Sequence, residues 1–268
     1  MTKAVAKTGG KDLAKESDFS KFMDDNYDDG VDNEDLIMPR VKIVQAMTQD
    51  KMGAKEGSFI HTINGDLGTP IEFFILLTWK SRILFEKGAL NIKCRSMDGK
   101  ISGQGEFAGK LCDQCPKSKW DGNKKPECSI IYNYIIALKK ELLDCIKTGS
   151  ILPPTSLSMM SSATKVAKYI NTNIRINKGR KKPIWADLIS LSTEEKAFEA
   201  GKAFIPVAKI GATVSQDEVK EYLHKLRQTY MDMNLHEKLR EEEVINEDVD
   251  QAPNVPDPAP AEGDDLDI

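Results

Sequence analysis

The chain has 268 residues, of which 40% are hydrophobic and 30% are charged. This length allows one large or two small folded domains, and the composition is that of a soluble protein whose charged fraction is somewhat high. The composition excludes a membrane span, because no apolar run approaches the roughly 20 residues that one needs. No basic segment followed by an apolar one opens the chain, so we expect an intracellular protein without a signal peptide.

The net charge of −4 hides a strongly uneven distribution. Residues 1–35 carry 5 Lys or Arg and 10 Asp or Glu, and residues 237–268 carry 2 and 12. The remaining 31 basic and 20 acidic residues give residues 36–236 a charge of +11. A basic body between acidic ends predicts a polyanionic partner for the body and a competing or protein-recruiting role for the ends. The alternative is a solvated surface with disordered ends.

Residues 1–35 are predicted to form a disordered arm, because charged residues outnumber aliphatic ones. Order is predicted from about Leu36, with Pro39 confining any strand to the residues after it. Three segments have the composition of strands, namely SFIHTI from Ser58, IEFFILLTWKSRILF from Ile71 and SIIYNYIIALK from Ser129. Strict alternation along the second predicts one face with Ile71, Phe73, Ile75, Leu77 and Trp79, and the other with Thr78, Lys80 and Arg82.

Four of the five cysteines interrupt these strands within a polar, glycine-rich stretch. Cys112 and Cys115 have the CxxC spacing that lets two thiolates from one turn reach the same ion. With Cys94 and Cys128 they can supply the four sulfurs of a structural zinc site, which would leave no position open for catalysis. The alternatives are reduced cysteines without a ligand, a disulfide, and a site in which His61 replaces Cys94.

After Pro153 and Pro154, the sequence predicts a helix from about Ser161, with Val166, Ile170 and Ile174 as its buried stripe. A basic loop, NKGRKKP, and a hairpin of PIWADLISL and KAFIPVAKI follow, with a turn around 194–201. Pro206 predicts that the second hairpin strand lies at an edge or a bulge. SQDE at 215–218 has the form of a capping box and predicts a last helix to about Arg240.

This order places one helix between the third and fourth principal strands of a small barrel, which is the layout of an OB-fold. We therefore predict a mainly β fold with helices, whose core spans residues 36–240 and contains a zinc-binding insertion at 94–128. Residues 241–268 are predicted to be a disordered acidic tail. No Walker A loop, GxSxG or HExxH motif occurs, and no paired carboxylates are evident, so we expect a binding protein and not an enzyme.

A protein that binds single strands needs cations along a groove and aromatic rings on which bases stack. Each of the three tryptophans lies near Lys or Arg in the sequence, although a core position is the alternative for each. The predicted nucleic-acid contacts are Arg40, Lys42, Trp79, Lys80, Arg82, Lys93, Arg95, Lys117, Lys119, Trp120, Tyr132, Tyr134, Arg180, Lys181, Lys182, Trp185, Lys202 and Phe204.

The segments PRVKIVQAM, CRSMDG and CDQCP, together with the acidic C-terminal tip, carry a family resemblance. From about Leu36 to its end, the chain resembles the zinc-containing single-stranded-DNA-binding, helix-destabilising proteins of tailed bacteriophages. The resemblance implies an OB-fold body, a structural zinc ion, and a protein that coats single-stranded DNA during replication, recombination and repair in the host cytoplasm. It also implies self-association on DNA and a tail that recruits replication proteins such as polymerase, helicase and primase.

The tip residues that would make the tail contact are Asp264, Asp265, Leu266, Asp267 and Ile268. The tip lacks the aromatic ending of bacterial single-strand binders, and the best-known phage members use a histidine among their zinc ligands. Two other classes remain open at this point. One is a zinc-ribbon transcription or RNA-binding factor, and the other is a phage recombination nuclease.

Overall fold

The computed structural model describes residues 38–86, 91–198 and 201–233. The predicted arm at 1–35 and the predicted tail at 241–268, including its tip, lie outside these residues. Within the described ranges, no helix is long and apolar enough to cross a membrane.

The described residues form a large sheet and three α-helices. The strands are β1 (Arg40–Ile43), β2 (Phe59–His61), β3 (Gly65–Gly68), β4 (Ile71–Phe85), β5 (Ile92–Ser96), β6 (Gln104–Gly105), β7 (Ser129–Leu138), β8 (Thr155–Met159), β9 (Asp187–Phe198) and β10 (Gly201–Thr213). The helices are α1 (Lys139–Thr148), α2 (Thr164–Gly179) and α3 (Asp217–Asp232). The predicted mainly β fold with helices is confirmed.

The strands follow the order β10-β9-β4-β7-β8-β1-β2-β3, and β5 pairs with the far end of β4 and with β6. Every pairing is antiparallel except that of β1 with β8, which is parallel. The centre of the sheet is covered on both faces. Phe73 and Ile75 belong to a first core, to which α2 contributes Ala167 and Ile170. Neighbouring Phe74 lies in a second core with residues of α1 and α3.

The predicted alternation along β4 is wrong beyond Ile75, because a bulge adds one residue there. Ile75 lies opposite Ile136, but Leu77 lies opposite Ile135, the next residue of β7. A bulge of this kind reverses which face each later residue occupies. Leu77 and Trp79 therefore pack against the second core.

The cationic residues of β4 change face with the bulge. Lys80 lies opposite Tyr132, and Arg82 lies opposite Ile130. Tyr132 belongs to the first core and Ile130 packs against it. The predicted separation of these cations from the face of Phe73 and Ile75 is therefore also wrong.

The two ends of the sheet approach each other through the loop between β1 and β2. The Gln45 side chain accepts a hydrogen bond from the Phe204 amide at 2.9 Å and donates one to the Phe204 carbonyl at 2.8 Å. Thr193 of β9 donates to the carbonyl of Gly57. A Cβ atom at Gly57 would lie 2.6 Å from the Phe204 ring, so this contact requires glycine. The sheet is thus curled, and its ends are joined by side chains.

β10 stands at one end of the strand order, which confirms the edge position predicted from Pro206. The hairpin is longer than predicted, because Glu194–Phe198 continue β9 and pair with Gly201–Ile205. Glu194, Glu195 and Lys196 are exposed. This end of the hairpin is surrounded by solvent, so its residues need not alternate between apolar and polar. For that reason the sequence of this part of β9 was interpreted as a turn.

The remaining comparisons concern β8 and the three helices. Helix α1 and strand β8, on either side of Pro153 and Pro154, were not predicted. Helix α2 begins at Thr164 after a short 3₁₀ turn, close to the predicted start. The predicted capping box is wrong, because α3 begins after Gln216 and no side chain caps it. Asp217 and Glu218 instead supply negative charge to its first turn, where the helix dipole favours it.

Candidate functional site

The segment from Cys94 to Cys128 joins β4 and β5 to β7, and we call it the insert. It contains little regular structure, and turns hold most of it. The Cys112 amide donates to the Lys100 carbonyl at 2.7 Å, and the Cys128 amide donates to the Lys117 carbonyl at 2.9 Å. These bonds bring together three parts of the insert that are far apart in sequence.

The four cysteines of the insert line one small cavity of about 20 Å³, which is room for a single water-sized occupant. They come from β5, from the CxxC turn and from the residue before β7. Cys94 and Cys112 are buried, Cys115 and Cys128 are half-buried, and all are free thiols. The Cys94 sulfur lies 3.1 Å from the Ser102 hydroxyl.

The donor chemistry of this cavity fits zinc, since four thiolates are one of its usual structural ligand sets. Within the described ranges, no group of three or more His, Cys, Asp or Glu has the arrangement of a metal site. The sulfurs therefore face one cavity without forming a completed ligand cluster. Their convergence from three segments is the observation on which a zinc proposal rests.

His61, the alternative fourth ligand, is engaged elsewhere. Its Nδ1 accepts hydrogen bonds from the amides of Ile63 and Asn64 at 3.3 and 3.0 Å, and its Nε2 lies 3.3 Å from the Thr155 hydroxyl. Burial lowers the pKa of His61. The residues that line the cavity include Cys94 and not His61. Cys94 is therefore the better fourth ligand.

Arg82 joins the sheet to the thiol cavity. Burial raises the pKa of the Cys128 thiol to about 11, and the charge and hydrogen bond of Arg82 oppose that effect. The nearby sulfurs of Cys94 and Cys112 also contribute to this raised pKa. We predicted a nucleic-acid contact for Arg82, but the structure gives it Cys128 as a partner. The contact between Arg82 and Cys128 follows from the pairing of β4 with β7. Arg82 lies opposite Ile130, two residues from Cys128.

Some predicted nucleic-acid contacts are exposed in the structure. Trp120 of the insert is 64% exposed, and Lys119 beside it is also exposed. Lys80 extends over the Tyr132 ring, with its Nζ 5.5 Å from the ring centre. Arg180 and Lys181 are exposed in the basic loop. These side chains can reach a ligand in solution.

Four other predicted contacts are buried, which makes them poor candidates for the interface. Trp185 is 8% exposed in the second core, and Tyr134 is fully buried in the first. Tyr132 and Arg95 are also buried. Trp79 is half-buried against the second core, because the bulge turns it away from the face of Ile75. A ring enclosed by protein on both faces cannot stack on a base.

The remaining predicted cations of the interface mostly have partners within the chain. Lys93 pairs with Glu106 at 3.3 Å, Lys117 with Glu127 at 2.8 Å and Lys202 with Glu195 at 2.5 Å. Exposed pairs of this kind are weak, so a phosphate can displace the carboxylate.

Three further predicted contacts lie on strands. Arg40 and Lys42 are half-buried on β1, and the Phe204 ring packs on Gly57. These side chains are therefore less available than those of the insert.

Comparison with known families identifies the origin of the chain. A family model described as Pam3 phage gp34-like protein matches residues 10–230. The chain belongs to this phage family. No curated protein and no solved structure matches the chain. The resemblance to a phage protein is thus confirmed.

The basic loop of this phage protein is held by a buried carboxylate. Asp187 accepts hydrogen bonds from Asn173 at 3.0 Å, Asn177 at 2.7 Å and Thr213 at 2.7 Å. Lys182 donates to the Thr213 hydroxyl at 2.9 Å, so this predicted nucleic-acid contact also supports the loop. Burial would raise the pKa of Asp187, but these hydrogen bonds and the charge of Lys182 outweigh it and lower the pKa.

Asp187→Asn is expected to reduce stability at neutral pH by about 2 kcal/mol, because charge-assisted hydrogen bonds are lost. The unfolded state binds a proton at Asp187 more readily than the folded state does. The stability that the Asp187 carboxylate gives the folded protein is therefore complete above the ordinary pKa of 3.8. It disappears as the pH falls through the lower pKa that Asp187 has in the folded protein.

Urea unfolding at several pH values measures this effect. The variant should lose that acid-dependent component. Asp144→Asn is the control, since it removes only an exposed pair with Lys147, and it should change stability little. Equal effects of the two substitutions would contradict the role given to Asp187.

Proposed function

We propose that this phage protein binds single-stranded DNA without sequence preference and coats it during replication, recombination and repair. It has no catalytic role in this proposal and acts in the cytoplasm of the infected host. The support begins with the strand order. β4, β7, β8, β9 and β10 correspond to the five strands of an OB-fold, and α2 lies between the third and fourth of them.

The pairings agree with this correspondence. β4 pairs with β7 and β9, β7 pairs with β8, and β9 pairs with β10, all antiparallel. β1 to β3 extend the sheet from β8 toward β10. The Gln45 bridge to Phe204 then stands where the third and fifth strands of a small barrel would meet.

The same correspondence assigns the two loops with which OB-folds bind oligonucleotides. The connection between its first two strands is the segment that contains the insert, residues 86–128. The connection between its last two strands is the tip of the β9–β10 hairpin. Both segments carry exposed cations, among them Lys119, Lys124, Lys196 and Lys202.

The observation that carries the proposal is the exposure of Trp120 in the insert, at 64% of its surface. A large aromatic ring in water is costly to leave uncovered, and single strands offer unstacked bases to such rings. Lys119, Lys124 and Lys125 are exposed nearby in the sequence and can contact the phosphates. The insert therefore has both components of a single-strand binding loop.

A structural zinc ion held by Cys94, Cys112, Cys115 and Cys128 is part of the proposal. Metal binding would fix the insert, which has too few apolar side chains to form a core alone. The acidic tail would recruit polymerase, helicase or primase through its tip, and would compete with DNA for the basic body. Self-association on DNA belongs to the same proposal.

Trp120→Ala is expected to weaken binding to an oligothymidylate about tenfold, because one stacked base contributes roughly 1–3 kcal/mol. Trp120→Phe is the matched control and should retain most of the affinity. Fluorescence anisotropy with single-stranded DNA, duplex DNA and RNA competitors at moderate salt measures both.

A preference of the wild-type protein for duplex DNA or RNA would refute the proposed function. It would favour a zinc-ribbon transcription or RNA-binding factor, which the same insert could serve. Cleavage of DNA in the presence of Mg²⁺ would refute the non-enzymatic role and favour a nuclease.

A further inference from the structure

Helix α2 carries a basic surface that the proposed OB-fold interface does not use. No Asp or Glu occurs between Asp144 and Asp187 in the sequence, so the whole helix is free of acids. Its exposed face, which we call the α2 face, has the spacing i, i+3, i+4, i+7, i+10 and i+11. Its residues are Lys165, Lys168, Tyr169, Thr172, Arg175 and Ile176.

The opposite side of α2 is packed and fixes the direction of this face. Ala167 and Ile170 are buried in the first core, with Val166 and Ile174 packed against it. The Tyr134 hydroxyl donates to the Ala167 carbonyl at 3.3 Å and to the Asn171 side chain at 3.2 Å. The α2 face is therefore turned to solvent by a rigid support.

The cations of the α2 face have no acidic partner on their own helix, in contrast to seven lysines elsewhere on the surface. Lys51, Lys93, Lys117, Lys139, Lys147, Lys202 and Lys220 each form a salt bridge with an acid. Among the described residues, no salt bridge involves Lys165, Lys168 or Arg175. With Lys165 and Lys168 three residues apart, their like charges repel, and Lys165 in the first turn also opposes the helix dipole. The arrangement costs stability unless an anion neutralises it.

An aromatic side chain lies among these cations. Tyr169 is 51% exposed, and it follows Lys168 directly. Lys165 and Arg175 are ten residues apart, which spans about 15 Å along a helix. A row of cations with an exposed ring is the pattern that contacts phosphates and stacks a base.

We propose that the α2 face is a second binding surface for single-stranded DNA, engaged by strands long enough to continue past the loops of the OB-fold. This inference rests on the proposed function, because it extends the path of the same ligand. Lys165, Lys168 and Arg175 contact phosphates, and Tyr169 stacks on a base. The surface lies outside the two connections that would form the primary site.

The test compares two variants of the full-length protein that lose the same charge. One is Lys165→Gln/Lys168→Gln/Arg175→Gln on the α2 face. The control is Lys51→Gln/Lys147→Gln/Lys220→Gln, whose lysines pair with neighbouring acids. Glutamine retains helix propensity, and all six residues lie at the surface, so both variants should fold. Circular dichroism checks this.

Binding is measured by anisotropy across a salt series, with one oligothymidylate of about 8 nucleotides and one of about 30. The shorter lies within the site size of one OB-fold. On the long oligomer, the α2 variant should lower the slope of log K against log salt by about 2, since each phosphate contact contributes roughly 0.7. On the short oligomer it should equal the control.

Tyr169 provides an independent measurement. Tyr169→Ala should weaken binding to the long oligomer about tenfold with little change in salt dependence, and Tyr169→Phe should retain the affinity. Equal binding by Ala and Phe would contradict the stacking role.

The outcomes separate this inference from the proposed function. A wild-type protein that bound neither oligomer would refute both. Wild-type binding, with the α2 variant equal to the control on the long oligomer, would overturn only the second surface. An equal loss on both oligomers would place α2 in the primary site and overturn a separate surface. Tighter binding of the short oligomer by the α2 variant would assign the face to the acidic tail and would also overturn the proposal.

Discussion

Replacing Cys112 and Cys115 together with serine is expected to abolish metal binding and to unfold the insert. The substitution removes two of the four thiols that line the cavity. Structural zinc contributes an apparent binding free energy of about 10–16 kcal/mol in small zinc domains, and that energy is folding energy where the metal-free segment has no core. The insert has few buried apolar residues, so we expect the whole insert to unfold while the rest of the protein stays folded. The cores formed with α1, α2 and α3 should persist.

Metal analysis of the purified protein and limited proteolysis measure the two effects. The wild type should contain one zinc per chain, and the double variant should contain none and be cleaved between Cys94 and Cys128. Cys145→Ser is the control, because Cys145 lies in α1 and does not line the cavity. A wild-type protein that is stable without metal and resists cleavage in the insert would contradict the zinc site.

Gly105→Ala is expected to destabilise the insert by about 3 kcal/mol, at the upper end of the usual effect of a single substitution. Gly105 has a φ of +82°. A Cβ atom there would lie 2.1 Å from the Lys93 carbonyl oxygen and 3.2 Å from the Cys94 Cα. Because the nearest atoms belong to the backbone, the substitution must separate β6 from β5 and displace Cys94 from the cavity.

Gly109→Ala is the matched control in the same insert. Gly109 has a φ of +76°, but nothing lies within 4 Å of its added Cβ. It should cost only about 1–2 kcal/mol for the left-handed conformation. Thermal unfolding and zinc content compare the two variants. If Gly105→Ala retained zinc and matched Gly109→Ala in stability, the close packing of β5 and β6 would be wrong.

The long strands were predicted well, because runs of apolar and β-branched residues indicate a strand without reference to the rest of the chain. Every residue from Ile71 to Phe85 is in β4, and apolar composition alone indicates that. The faces of the same strand could not be predicted, since the bulge depends on how β7 pairs with it. The hairpin from Asp187 to Thr213 was underestimated for a related reason, because its charged end pairs only with itself.

The candidate site likewise has one part that the sequence predicted and one part that it could not. CxxC spacing suggested that Cys112 and Cys115 act together, and the sequence also assigned Cys94 and Cys128 to the same site. All four line one cavity. The exposure of Trp120 and the burial of Trp185 could not be distinguished by sequence, because both tryptophans adjoin cations. Burial depends on α3, which packs over Trp185 from about thirty residues further along the chain.

The bulge near Leu76 separates two parts of β4. The part before it packs in the two cores, and the part after it carries Lys80 and Arg82. If β4 alternated regularly through Leu76 instead of bulging, Lys80 and Arg82 would turn toward the second core, and Leu77 and Trp79 would turn toward the first. Deleting Leu76 together with its bulge would leave a regular strand with the observed faces. Deleting or inserting one residue between Leu77 and Phe85 would exchange the faces of the residues beyond it.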